Sequence, residues 1–79
     1  MFTSSKIAER IKETAKEKNI TAKEMLEIAG VGFNTITHMK TSYPRTDTLI
    51  KIADVLGCST DYLLGRTDKK EINRDDENA

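Results

Sequence analysis

The chain has 79 residues, 37% hydrophobic and 33% charged, enough for one small soluble domain with a modest core. No apolar run approaches the roughly 20 residues of a membrane helix, and the Met-Phe-Thr-Ser-Ser opening lacks a signal peptide's basic and apolar stretches, so a cytoplasmic protein is expected. Zero net charge with single Cys58 and His38 excludes a basic nucleic-acid coat, an internal disulfide and the common zinc sets; no cofactor and no metal are expected.

From about Ser4 to Lys18, Ile7, Ala8, Ile11 and Ala15 recur at spacings of three and four, which predicts an amphipathic helix with Glu and Lys on its wet side. Asn19 suits the left-handed conformation that ends it. Thr21-Ala22-Lys23-Glu24 reads as a capping box opening a second helix, which holds Met25, Leu26, Ile28 and Ala29 and stops at Gly30. A third helix is predicted from after Gly32 to about Lys40, with Ile36 and Met39 facing inward. Thr41 to Arg45 is a loop, because Pro44 biases Tyr43 away from helix. Thr46 is the expected cap of a fourth helix, Asp47 to Leu56, carrying Leu49, Ile52, Ala53 and Leu56 at helical spacing. Ser59 caps a last short helix, Thr60 to Leu64, closed by Gly65. Residues 1–65 therefore form an all-α domain of five helices. Residues 66–79, apolar only at Ile72 and Ala79, form a polar, flexible tail.

The second and third helices carry the functional signal. Gly30 permits a sharp turn, and Val31 tucks beneath it. Phe33, Asn34, Thr35, Thr37 and His38 are then left outward: uncharged side chains, most of them able to hydrogen-bond. Such a face suits base edges, since Asn pairs bidentately with adenine and Thr or Phe meets a thymine methyl. Between Glu27 and Asp47 there is no acid, whereas His38, Lys40 and Arg45 fall inside that gap. A solvated helix face with Phe33 covering the core is the plainer alternative. His38 reads as a neutral hydrogen-bonding group, and Cys58 as a small semi-buried residue before the last cap.

From about Ile7 to Gly65 the sequence resembles the Cro and lambda-repressor-like (Xre-type) helix-turn-helix regulators. The resemblance rests on Ile20-Thr21, Gly30-Val31 and Asn34-Thr35-Ile36. It rests equally on Pro44 followed by Thr48-Leu49-Ile50-Lys51-Ile52-Ala53-Asp54-Val55-Leu56-Gly57, and on Ser59-Thr60-Asp61-Tyr62-Leu63-Leu64-Gly65. It implies a five-helix lambda-repressor-like fold whose third helix reads bases through Phe33, Asn34, Thr37 and His38, with Thr35 joining them from the outward face. By the same resemblance Thr21 and Lys23 hold a phosphate at the start of the second helix. Lys40, Thr41 and Ser42 follow the DNA backbone, and Arg45 approaches the minor groove. Ala22 stands where many members have Gln, Leu26 and Ala29 exchange the usual sizes, Met39 replaces an aromatic, and Gly32 replaces a capping Ser or Thr.

These features together lead to a sequence-specific regulator, a repressor by preference, that binds a double-stranded DNA operator as a homodimer. Ile50 or Val55 beside the last helix would supply the dimer contact. The alternative on the same fold is an antitoxin or other protein-binding module whose tail from Arg66 wraps a protein partner, with Ile72 packing on it. No nucleophile–base pair, carboxylate pair or phosphate loop points to an enzyme, and no membrane partner is expected.

Overall fold

In the computed structural model, which describes residues 1–70, the apolar stripe predicted near the N-terminus becomes the buried face of α1 (Ser4–Glu17): Ile7, Ala8, Ile11 and Ala15, joined by Thr14. The Thr14 hydroxyl donates to the Arg10 carbonyl at 2.7 Å, which satisfies a polar group that is almost wholly buried. Asn19, with φ 60°, is the left-handed residue that reverses the chain beyond α1. Four further helices follow: α2 (Ala22–Ala29), α3 (Thr35–His38), α4 (Thr46–Leu56) and α5 (Thr60–Leu64). Helix α2 lies mainly on α4, while α1 contacts α2 and α5, and α4 contacts α5.

The core is assembled from every part of this framework. Ile7 and Ile11 come from α1, Met25 from α2, Met39 from the end of α3, Ile52 and Leu56 from α4 and Leu63 from α5; all are almost fully buried. Each such side chain contributes about 1.5–3 kcal/mol of transfer free energy relative to an exposed one. Met39 matters most for position, because it seats the otherwise shallow α3. Ile36 on α3 is half-buried against the same cluster. Ile28, one of the apolar residues of α2, stands 66% exposed.

Two boundaries differ from those expected. Arg45, extended at φ −67° and ψ 152°, takes the N-cap position of α4, so this helix starts at Thr46 with no side-chain cap. Regular helix in α3 is confined to four residues, with turns at both ends. Gly32 has no side chain to cap it, and Asn34, at the cap position, makes no side-chain cap bond. The Thr35 and Lys40 amides accordingly reach back three residues, to the Gly32 and Thr37 carbonyls.

Arg66 to Lys70, the described start of the segment expected as a tail, runs back along the domain. The Arg66 amide donates to the Asp61 carbonyl at 2.9 Å, and the Lys70 carbonyl accepts from the Ser59 amide at 2.9 Å. Residues 71–79, including Ile72 and its expected partner contact, lie outside the described residues. Among the described residues no helix is long and apolar enough to cross a membrane.

Candidate nucleic-acid interface

The α2–turn–α3 unit is fixed at both ends of α2 by short-range chemistry. At its start, the Thr21 hydroxyl accepts from the Glu24 amide at 3.0 Å, while the Glu24 carboxylate accepts from the Thr21 amide at 3.1 Å. This is the reciprocal box read from the sequence. At its end, Gly30 has φ 73° and ψ 29°, the left-handed conformation a side chain would oppose. Its amide donates to the Glu27 carbonyl at 3.2 Å, and the Val31 amide reaches the Leu26 carbonyl at 3.1 Å. That pair of bonds is a Schellman closure. Val31, half-buried, packs on the core beneath the turn.

The turn sends the chain into α3 with most of the expected reading residues outward. Asn34, Thr37 and His38 are exposed, and Phe33 is 59% exposed, so it does not cover the core. Phe33 and Asn34 stand on the turn before α3, whereas Thr35, Thr37 and His38 lie on the helix itself. Thr35 is half-buried, and its hydroxyl donates to the Gly32 carbonyl at 2.6 Å. It closes the turn and presents less of itself than its neighbours do.

The flanking groups fall on three elements. Thr21 and Lys23 are exposed at the start of α2, where the first helical amides have no intrahelical acceptor. Glu24 places a carboxylate at the same end. Lys40, Thr41 and Ser42 are exposed after α3, with the Thr41 and Ser42 amides donating to the His38 carbonyl at 3.2 and 3.0 Å. Arg45 is 86% exposed and pairs with Asp47 at 3.5 Å. An ion pair this exposed contributes little and yields readily to another partner.

Sequence reasoning missed the support beneath the loop after α3. The Ser5 hydroxyl donates to the Lys40 carbonyl at 3.3 Å, and the Tyr43 hydroxyl donates to the Phe2 carbonyl at 3.2 Å. No periodic or capping signal marks these contacts, because the partners lie 35 and 41 residues apart.

Cys58 is distant from this chemistry. It is 2% exposed and borders a cavity of about 290 Å³ with Thr14, Glu17, Lys18, Leu56, Gly57 and Lys70. Burial pushes its thiol pKa up, opposed by the Lys18 and Lys70 charges. It is more deeply buried than its sequence position suggests. Among the described residues, no group of three or more His, Cys, Asp or Glu could hold a metal ion.

Comparison with known proteins gives this geometry its context. The chain is 35% identical over 72 residues to the HTH-type transcriptional regulator ImmR of Bacillus subtilis (strain 168), an alignment that takes in 89% of this chain. The chain spans 57% of the length of that relative. No solved structure matches it significantly. Residues 10–69 match the model of the Cro/C1-type HTH DNA-binding domain. The match takes in α2, the Gly30 turn and α3 together with α4 and α5, and the chain belongs to the Cro/C1-type HTH DNA-binding domain family.

Proposed function

We propose that the chain is a sequence-specific, double-stranded DNA-binding transcriptional regulator, a repressor that lays α3 in the major groove and acts by occupancy without catalysis. The observation that carries this reading is the outward set Asn34, Thr37 and His38, hydrogen-bonding side chains exposed immediately beyond the turn that Gly30 closes. A major groove admits a helix, and these side chains match the donors and acceptors on base edges. Phe33 would press on a thymine methyl, and Thr35 would contribute through its methyl group.

Thr21, Lys23, Lys40, Thr41 and Ser42 would meet phosphates on either side, and Arg45 would exchange Asp47 for the DNA backbone or minor groove. With so few cations, phosphate attraction alone is modest, and selectivity falls to the reading face. The printed name of the Bacillus subtilis relative, a transcriptional regulator, supports regulation as the outcome of binding. Two copies, meeting through the exposed Ile50 and its neighbours on α4, would read half-sites about 34–36 Å apart in the cytoplasm.

The test is an anisotropy titration against duplexes that include the DNA upstream of the protein's own gene. One duplex should bind about 10³-fold or more tightly than a scrambled one, with affinity falling as salt rises. Equal affinity for every duplex across a genomic selection would overturn the reading.

A further inference from the structure

Arg10 is the most heavily engaged cation among the described residues, and the DNA-reading geometry makes no use of it. Its guanidinium lies 4.5 Å from the Phe2 ring centroid and 4.2 Å from that of Tyr62. It donates to the Tyr62 carbonyl at 2.9 Å and the Thr67 carbonyl at 3.4 Å, and meets the Asp68 carboxylate at 3.9 Å. Two aromatic faces and three oxygens therefore hold one side chain that is only 19% exposed. Stacking of this kind suits the planar, weakly hydrated guanidinium and would be poorly reproduced by an ammonium.

Phe2 connects this cluster to the reading side. Its amide donates to the Leu64 carbonyl at 2.7 Å, and its ring lies against Gly65, so that a Cβ there would enter the ring. Its carbonyl accepts from the Tyr43 hydroxyl, three residues beyond Lys40. Ser5, on the first turn of α1, holds the Lys40 carbonyl itself. The segment 66–70, Arg10, Phe2 and the loop after α3 are thus in continuous contact, and each link is a specific hydrogen bond or stack.

We infer that Arg10 and Phe2 are positioning residues that couple the segment 66–70 to the loop Lys40–Tyr43, so that displacing this segment loosens the loop that would meet DNA phosphate. Whatever draws on the chain beyond Lys70 then alters DNA affinity without touching the reading face. The inference rests on the proposed role of Lys40–Ser42 for its functional consequence, but not for its mechanical one. Spatial continuity alone does not establish coupling, so the measurement must report an interaction between the two ends.

Arg10→Lys keeps the charge and loses the stack and the fork of hydrogen bonds. Tyr43→Phe removes only the link to the Phe2 carbonyl. In the full chain, hydrogen exchange at the Thr41 and Ser42 amides should rise about fivefold or more in Arg10→Lys, beyond any rise at core amides such as Ile52. In a Tyr43→Phe background the same Arg10 change should add little. On DNA, each variant should weaken binding about three- to tenfold with sequence discrimination intact, and the double variant should be no weaker than the poorer single one. Exchange at Thr41 and Ser42 that merely tracks the core would overturn the coupling, as would multiplying effects on affinity. If wild-type protein bound no DNA at all, the functional reading would fail, while the exchange measurement would still decide the coupling. Phe2→Leu, which keeps the backbone bonds and loses the ring, gives the same exchange test should Arg10→Lys fail to fold.

Discussion

Thr21 and Glu24 trade hydrogen bonds at the start of α2, hydroxyl to amide at 3.0 Å and amide to carboxylate at 3.1 Å, and the two residues have opposite consequences for an approaching phosphate. Thr21 caps the helix and keeps its hydroxyl proton available. Glu24 satisfies a donor but places negative charge where a phosphate would bind. Thr21→Ala should lower the unfolding free energy by about 1 kcal/mol, read from urea denaturation at an unchanged m-value. Glu24→Gln retains the box, since an amide oxygen can accept in place of the carboxylate. It should leave stability within about 1 kcal/mol of wild type and tighten DNA binding. Unchanged or weaker binding would remove the start of α2 from the phosphate contacts.

Gly30 and Gly65 both have positive φ, 73° and 79°, yet their surroundings separate them. A methyl group on Gly30 would meet nothing within 4 Å, so Gly30→Ala should cost only the left-handed strain, about 1 kcal/mol. A methyl group on Gly65 would collide with the Phe2 ring as well. Gly65→Ala should therefore cost about 2 kcal/mol or more, combining backbone strain with loss of the Phe2–Leu64 closure. Comparable thermal midpoints for the two variants would show that Phe2 moves aside freely.

The parts of this architecture that were legible from sequence are those fixed within four residues of chain. The Thr21–Glu24 box, the Ser59 cap and the glycine stops each settle a helix end locally, and the apolar spacing of α1 and α4 names most of the core. The loss of a cap at Gly32 was legible, but the shortening of α3 to four residues was not, because Asn34 takes the cap position without a side-chain bond. Ile28 follows the apolar spacing, yet it stands 66% exposed. Arg10 sits on the face of α1 that reads as wet, yet its partners Tyr62 and Thr67 lie 52 and 57 residues away. Only tertiary packing discloses such a pairing. For the proposed reading face, sequence set Asn34, Thr37 and His38 outward as they stand, but it also set Thr35 outward, and that residue is half-buried with its hydroxyl on the Gly32 carbonyl.

Cys58 ties stability to alkaline pH. Burial raises its thiol pKa above the ordinary value that the unfolded chain regains. Between the two values the folded state binds more protons than the unfolded state, so stability falls as pH rises through that window and is unaffected below it. Urea midpoints measured from neutral pH upward should fall once the ordinary thiol range is passed. The fall should be smaller in Cys58→Ala, after allowing for that variant's lower baseline stability. Parallel pH profiles for the two proteins would mean that the thiol contributes nothing. At neutral pH, the 2% exposure predicts slow modification by a thiol reagent until the protein is unfolded.

The division of labour between α3 and the loop behind it is the sharpest consequence of the proposed DNA complex. Asn34 and His38 are exposed hydrogen-bonding side chains of a kind that suits base edges, whereas Lys40 is a cation on a loop that the Ser5 hydroxyl holds in place. Asn34→Ala and His38→Ala should each lower the ratio of specific to scrambled affinity, by about 1–3 kcal/mol where a bidentate contact is lost. Lys40→Ala should weaken binding to both duplexes by a similar factor. It should also make the slope of log affinity against log salt shallower by about one. Arg45→Ala should behave like Lys40→Ala, because its guanidinium is 86% exposed and its pair with Asp47 yields readily to a phosphate. A Lys40 variant that changed discrimination, or an Asn34 variant that changed only the salt slope, would reverse these assignments and place the reading face on the loop.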